Sequence, residues 1–103
     1  MTKNTLIQFF QQKQLSEFYQ LNTEVAFRKS DDKIVALLFN DDESIFEIDG
    51  MAMEIFDSIT KKESLINKML EIQEGKNWDK NQFQEDVSAF IKDLIENKII
   101  ASI

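Results

Sequence analysis

The sequence predicts an α+β fold in which a three-stranded antiparallel sheet is followed by three helices. Three short apolar runs lie between residues 24 and 48 and are separated by polar turns, and from residue 50 onward the apolar residues recur with a helical period. A helical apolar pattern also occupies residues 1–22. Because 103 residues fit a single domain, we expect an N-terminal amphipathic segment over 1–22 and one domain over 23–103.

The N-terminal segment is rich in glutamine and aromatic residues. Its larger apolar residues recur at the i, i+3, i+4 spacing of an amphipathic helix, namely Leu6, Phe9, Phe10, Leu15, Phe18 and Tyr19. We expect this helix to pack on the sheet face that the other helices leave open, or to mediate a homodimer. An extended arm that enters the groove of a neighbouring molecule is the alternative, which the helical spacing disfavours.

The three apolar runs predict a meander of β-strands. Residues 24–29 alternate between apolar and polar, residues 33–39 are almost continuously apolar, and residues 44–48 form a short third run. The connections at 30–32 and 40–43 consist of Ser, Asn, Asp and Glu, which is typical of hairpin turns. The middle run is therefore expected to be a central strand with both faces buried, and the other two are expected to be edge strands.

Three helices are expected after the sheet, each bounded by residues that favour helix ends. Their starts are Asp49, Thr60 or Lys62, and Asp79 or Asn81, and their ends are residue 59, Gly75 and about Asn97. An apolar tail is expected to close against the core, formed by Ile99, Ile100 and Ile103. Three strands followed by three helices form a winged-helix-like arrangement, in which the helices must cover one face of the sheet.

The composition removes most catalytic chemistry. The chain contains no His and no Cys, and its two Gly residues are isolated. There is consequently no imidazole base, no thiolate and no glycine-rich phosphate loop. The acidic clusters at 31–32 and 41–43 lack the spacing of a calcium-binding loop and are expected to be solvated turns. We therefore expect a binding protein rather than an enzyme, with no metal and no cofactor.

The charge balance argues against nucleic acid and membranes as partners. Twelve Lys and Arg oppose 19 Asp and Glu, a net charge of −7, and the predicted last helix over 81–97 carries one base and four acids. Phosphate would repel such a helix. No apolar run approaches the roughly 20 residues of a membrane span, and the N-terminal segment is too rich in Gln for a signal peptide. The expected location is the cytoplasm.

The strand at 44–48 indicates a binding function. An edge strand carries unpaired backbone N–H and C=O groups, and this one contains neither Lys nor Pro, which commonly block strand addition. A helix beside it would create a groove in which an extended peptide bonds to the edge while its apolar side chains enter pockets. A short edge that only resists aggregation is the alternative interpretation.

Four segments of the chain are similar to a known family. They are residues 46–56, which lead from the third strand into the first helix, residues 63–70 in the second helix, residues 86–94 in the third helix, and residues 97–100 after it. Together they resemble the PqqD-like family, whose members bind the leader of a ribosomally made peptide that undergoes modification. Three positions depart from the family pattern, since Asp49-Gly50 stands where Leu-Asn or a similar pair is usual and Lys98 stands where Gly is common.

The resemblance implies that the leader adds as a strand beside the third strand and packs against the third helix. Carried onto this chain, the edge consists of Ser44, Ile45, Phe46, Glu47 and Ile48, and the helix wall of Phe83, Val87, Ile91, Leu94 and Ile95. We expect at least half of that wall to be core rather than groove, and Phe83 and Phe90 to favour the core. The implied partners are a precursor peptide and a modifying enzyme, such as a radical S-adenosylmethionine maturase.

The sequence is also compatible with other functions. A winged-helix order also suits a transcriptional regulator or a protein-interaction module, although the acidic last helix disfavours DNA. Asp57-Ser58-Ile59 resembles the Asp-Ser-Leu of an acyl or peptidyl carrier protein, in which Ser58 would hold phosphopantetheine. The strand-like runs do not fit that all-helical bundle, and Ser58 is more simply interpreted as an ordinary surface residue.

Overall fold

The structure is a computed structural model that describes residues 2–38 and 45–103. The elements in chain order are α1 (Lys3–Gln12), β1 (Tyr19–Leu21), β2 (Val25–Lys29), β3 (Lys33–Leu38), β4 (Ile45–Asp49), α2 (Ala52–Thr60), α3 (Leu65–Gln73), α4 (Lys80–Glu96) and β5 (Ile100–Ser102). Strands β2, β3 and β4 form an antiparallel sheet in that order, and β1 pairs with β5. The expected α+β fold is confirmed, and its topology is compatible with a winged-helix-like arrangement.

Strand β3 has one buried and one open face, so the expectation that both faces are buried is wrong. Ile34, Ala36 and Leu38 are buried, whereas Leu37 on the opposite face is 41% exposed. All four helices contribute side chains to the same buried cluster as Ile34 and Ala36, which places them on one side of the sheet. A short, continuously apolar run does not reveal this asymmetry, because its alternation is hidden when both sets of residues are apolar.

The N-terminal segment is only partly helical. Helix α1 ends at Gln12, and the second half of the apolar pattern forms a loop and strand β1, with Phe18 exposed and Tyr19 buried. In the β1–β5 pair, Tyr19 lies opposite Ser102. The apolar tail is partly as expected, because Ile100 is buried while Ile103 is exposed. Strands of three residues are too short to show a period, so the sequence did not reveal this pair.

Helix α1 packs on the helical side of the fold and does not cover the open face of the sheet, contrary to one expectation. Leu6 and Phe10 are buried in the common core, and α1 contacts α3. After α1, the backbone carbonyl of Glu17 accepts a hydrogen bond from the Leu65 N–H at 2.9 Å. The Glu17 carboxylate also accepts one from the Ser64 hydroxyl. These bonds attach the N-terminal segment to the first turn of α3.

The N-cap predicted from the sequence is confirmed at α4 but not at α2. The Asp79 carboxylate caps α4 and accepts a hydrogen bond from the Asn81 N–H at 2.9 Å. Helix α3 begins later than expected and is capped by the side-chain oxygen of Ser64. Asp49 caps nothing, because it is still paired in β4, and Met51 occupies the N-cap of α2 without a side-chain bond. Strand β4 therefore extends further toward α2 than the helix-capping chemistry of Asp49 indicated.

Five described residues have left-handed backbone conformations, and two of them lie where the sequence departs from the resembled family. Gly50 has φ +62° and joins β4 to α2, and Lys98 has φ +60° just after α4. Lys98 occupies the position where the resembled family commonly has Gly, which adopts this conformation without a steric cost. Two hydrogen bonds hold the turn at Lys98. The Ile99 N–H donates to the Leu94 carbonyl at 2.9 Å, and the Asn22 side-chain amide donates to the Lys98 carbonyl.

Candidate functional site

Strand β4 is an edge of the three-stranded sheet. Within the described residues it is hydrogen-bonded to β3, and the strand order β2-β3-β4 places no strand on its other side. The N-terminal arm does not occupy this edge, because β1 pairs with β5. A free backbone ladder of this kind is able to accept an added strand. Of the predicted edge, Ser44 lies outside the described residues.

The side chains of β4 divide between the two faces of the sheet. Phe46 and Ile48 point to the core face, where Ile48 is 2% exposed, and Ile45 and Glu47 point to the open face. A strand that paired with this edge would lie in the plane of the sheet and would meet backbone atoms first. The four described residues of the predicted edge therefore present their main chain, rather than a specific side-chain pattern, to a ligand.

A pocket opens where β4 passes into α2, opposite α4. Its volume is about 340 Å³. It is lined by Asp49, Gly50, Met51, Ala52, Ile55, Asp86, Val87 and Phe90. We call it the Phe90 pocket. Most of its walls are apolar or backbone, so the pocket suits an apolar side chain.

A second pocket continues along α4 toward the start of that helix. Its volume is about 170 Å³, and it is lined by Met51, Trp78, Asp79, Gln82, Phe83 and Asp86. We call it the Trp78 pocket. The indole of Trp78 stacks on the Phe83 ring with centroids 5.2 Å apart and an interplanar angle of 17°. Since Met51 and Asp86 line both pockets, the two pockets adjoin each other along α4, and together we call them the groove.

The groove is acidic. Asp49, Asp79 and Asp86 line it, and none of the residues that the structure describes around the two pockets is Lys or Arg. The Asp86 carboxylate, which both pockets share, accepts a hydrogen bond from the Gln82 side-chain amide at 2.8 Å. The Lys76 ammonium lies 5.5 Å from the centroid of the Trp78 ring. A ligand with both apolar and basic side chains would complement these walls.

Some residues of the predicted helix wall lie in the groove, and others lie in the hydrophobic core. Phe83 and Val87 line the groove, although each is nearly buried. Ile91 and Leu94 are 0% exposed and belong to the hydrophobic core, where a peptide in the groove would not touch them. Ile95 is 41% exposed but lines neither pocket. The predicted wall thus runs too far toward the end of α4.

Sequence reasoning missed the strip of α4 that borders the groove. Gln82, Asp86 and Phe90 follow one another at four-residue steps and lie beside the buried stripe that contains Val87. The spacing was present in the sequence, but the strip mixes polar and apolar residues and resembles an ordinary helix flank. The Gly50–Met51 connection was missed as well, because the sequence does not show that it faces α4.

Ser58 is not a surface residue, contrary to the expectation. Its exposure is 0%, and its hydroxyl lies 3.4 Å from the Glu63 carboxylate. A carrier protein must offer its serine to the enzyme that attaches the phosphopantetheine arm, and a serine within the core is not accessible. The geometry at Ser58 therefore argues against the carrier function.

Comparisons of the chain with models of protein families, with curated proteins and with solved structures gave no match. In the part of the chain that the structure describes, no helix combines the length and the apolar character needed to cross a bilayer. Within the same residues, no three carboxylate side chains come together as a set of metal ligands.

Proposed function

We propose that this protein binds the leader segment of a ribosomally made precursor peptide and presents it to a modifying enzyme, and that it carries out no chemistry itself. The leader adds as an antiparallel or parallel strand to the edge of β4. Its side chains enter the groove beside α4. Such strand addition derives affinity from main-chain hydrogen bonds and specificity from pockets for alternate side chains.

The observation that carries the proposal is that the free edge and the groove adjoin each other. Asp49 is the last residue of β4 and also lines the Phe90 pocket, so a strand on this edge reaches the groove directly. Residues i and i+2 of a strand are about 7 Å apart. Four residues of α4, from Phe83 in one pocket to Val87 in the other, rise about 6 Å. Two alternate side chains of one extended peptide match this spacing.

The groove also defines the chemistry of the peptide. Its apolar pockets call for two bulky apolar residues separated by one position. The carboxylates of Asp79 and Asp86 favour Lys or Arg nearby in the same peptide. The modifying enzyme, for which a radical S-adenosylmethionine maturase is our choice from the family resemblance, would act on the part of the precursor beyond this segment. The cytoplasm, where ribosomal precursors are made, is the proposed location.

A transcriptional regulator is the second candidate, because a winged-helix-like order is common among DNA-binding folds. The face of α4 that is not buried would then have to approach DNA. It carries Glu85, Asp86, Asp93 and Glu96 against Lys80 and Lys92. An acidic helix of this kind would be repelled by phosphate, so we do not favour this candidate.

The test of the proposal uses a library of linear 12-residue peptides displayed on phage and selected on the full-length protein. Enriched peptides are then synthesised, and hydrogen exchange of the protein is measured with and without them. We expect slower exchange of the amides in β4 together with protection at the Met51 connection. Protection confined to another element, or a selection without enriched peptides, contradicts the proposal.

Two variants on α4 refine this test. Phe90→Asp places a charge on the wall of the groove and is expected to weaken peptide binding at least tenfold, which corresponds to about 1.4 kcal/mol. Ala89→Asp adds the same charge at the neighbouring exposed position, outside the residues that line the two pockets, and is the matched control. Equal losses in both variants would mean that the groove is not the binding site.

A further inference from the structure

The alternation of hydrogen bonds in the sheet determines which main-chain groups of β4 point to its outer edge. The Ser30 N–H donates to the Lys33 carbonyl at 2.9 Å, so the main-chain groups of Lys33 point to β2. Successive residues of a strand point these groups to alternate sides, so those of Ile34 point to β4 and to its partner Ile48. By the same alternation, three residues of β4 point their main-chain groups away from β3, namely Ile45, Glu47 and Asp49.

The side chains of the same three residues lie on the face of the sheet that points away from the core, which we call the open face. Ile45 is paired with Leu37 of β3, and paired residues of an antiparallel sheet point to the same side. Leu37 is 41% exposed and Ile45 is 62% exposed. Adjacent exposed apolar side chains are a mark of interaction surfaces. At Ile45, an apolar side chain and outward-pointing main-chain groups therefore occur on one residue.

The other two residues present charges to the open face. Glu47 and Asp49 are exposed, and the Lys33 ammonium lies 3.8 Å from the Glu47 carboxylate. Lys33 is also the cross-strand partner of Asp49. These carboxylates thus have a cation of their own chain beside them. The apolar part of the open face at this edge is confined to Ile45 and its neighbour in β3.

We propose that Ile45 selects an apolar residue of the bound peptide, at the position that lies beside it on the open face. The inference rests on the proposed strand addition and deepens it. A strand on the edge of β4 places every second side chain on the open face, whatever its sequence. Cβ atoms of directly opposite residues are about 5 Å apart. An apolar side chain at this position extends the row of Ala26, Leu37 and Ile45 by one residue.

The register determines where this residue lies in the peptide. The peptide side chain opposite Ile48 points to the core side of the sheet, where the groove lies. Ile45 and Ile48 are three positions apart, so the residue beside Ile45 is three positions from a groove-facing residue. It follows that residue in an antiparallel peptide and precedes it in a parallel one. The peptide therefore carries apolar residues on both of its faces, and Ile45 determines one of them.

A double-mutant cycle tests this contact. Each residue of a selected 12-residue peptide is replaced in turn by alanine, and calorimetry measures the affinity of each peptide for the natural sequence and for Ile45→Ala. We expect one apolar position at which alanine weakens binding to the natural sequence about threefold, the size of a cross-strand pair. The same replacement should leave binding to Ile45→Ala unchanged, because the partner side chain is already absent.

A third variant locates the coupled position. The groove-facing residues are those whose replacement by alanine is coupled to Phe90→Ala, on the wall of the Phe90 pocket. The residue coupled to Ile45 should lie three positions from one of them. Ile103→Ala is the matched control, because Ile103 has a similar exposure of 67% and follows β5. This variant should respond to every peptide as the natural sequence does.

The outcomes separate this inference from the proposed function. Peptides that protect β4 from hydrogen exchange but contain no position coupled to Ile45 overturn the inference and leave the proposed function intact. Coupling at a position with any other spacing from the groove-facing residues overturns it as well. A selection without enriched peptides, or protection confined to another element, overturns both. Circular dichroism spectra that match that of the natural sequence establish that each variant is folded.

Discussion

The indole of Trp78 stacks on the ring of Phe83, and both residues line the Trp78 pocket. Trp78 is the single tryptophan of the chain and keeps 38% of its surface exposed. Phe83 is almost buried. The stack therefore joins the hydrophobic core to the proposed binding surface, and it makes the groove observable by spectroscopy.

Peptide binding is expected to shift the tryptophan fluorescence of this protein to shorter wavelength. An apolar side chain in the Trp78 pocket would remove water from the exposed part of the indole. The measurement is an emission titration with a selected peptide that contains no tryptophan. The Trp78→Phe variant is the control and should lose the signal while it keeps measurable affinity. An emission maximum that does not move, although calorimetry detects binding, would place the peptide elsewhere.

The charge of Asp86 is expected to set the preference of the groove for basic peptides. Asp86 lines both pockets, so Asp86→Lys changes the sign of the charge at the centre of the groove. We expect peptide selection on this variant to shift from Lys and Arg toward Asp and Glu. The affinity of the original basic peptides should fall about tenfold, which is about 1.4 kcal/mol. Asp93→Lys, on the same helix but outside the lining residues of both pockets, should keep the original preference.

Lys98→Gly is expected to stabilise the protein. Lys98 has φ +60°, a conformation that costs a residue with a Cβ about 1–2 kcal/mol and costs glycine almost nothing. Part of this gain is lost to the greater freedom of glycine in the unfolded chain, so we expect a net gain of about 0.5–1 kcal/mol. Urea denaturation measures it. Lys92→Gly, within α4, should instead lower the free energy of unfolding by about 1 kcal/mol, and a loss in both variants would contradict the argument.

Leu94 and Ile95 are adjacent in sequence but are expected to respond differently to truncation. Leu94 is 0% exposed, so Leu94→Ala should lower the free energy of unfolding by about 2–5 kcal/mol through lost burial and a cavity. Ile95→Ala, at a half-exposed position, should cost about 0.5 kcal/mol or less. Thermal and urea denaturation distinguish them. Similar values for both would mean that Leu94 is not in the core.

Much of the fold could be predicted because local sequence patterns determine it. The turn around 30–32 is closed by a hydrogen bond from the Ser30 N–H to the Lys33 carbonyl at 2.9 Å, in a segment of turn-forming residues. Asp79 caps α4 through its own carboxylate, as its position before the apolar stripe indicated. In both cases the determining contacts lie within a few residues of one another.

The features that could not be predicted from the sequence depend on contacts between residues that are far apart in the chain. Asp49 has the chemistry of a helix cap, but its pairing with Lys33 in the sheet keeps it in β4. Ile91 and Leu94 share the helical spacing of Val87, and only the position of the sheet and of the other helices decides which of these side chains reaches the groove. A periodic stripe defines the inner side of a helix without showing where the core ends.

The pairing of β1 with β5 has a consequence for how the chain reaches its native state. Tyr19 and Ser102 are neighbours in space although nearly the whole chain separates them. Contacts of such large sequence separation slow folding, since a long loop must close before they form. During synthesis, β1 leaves the ribosome before β5, so this strand pair forms only after residues 100–102 have been translated.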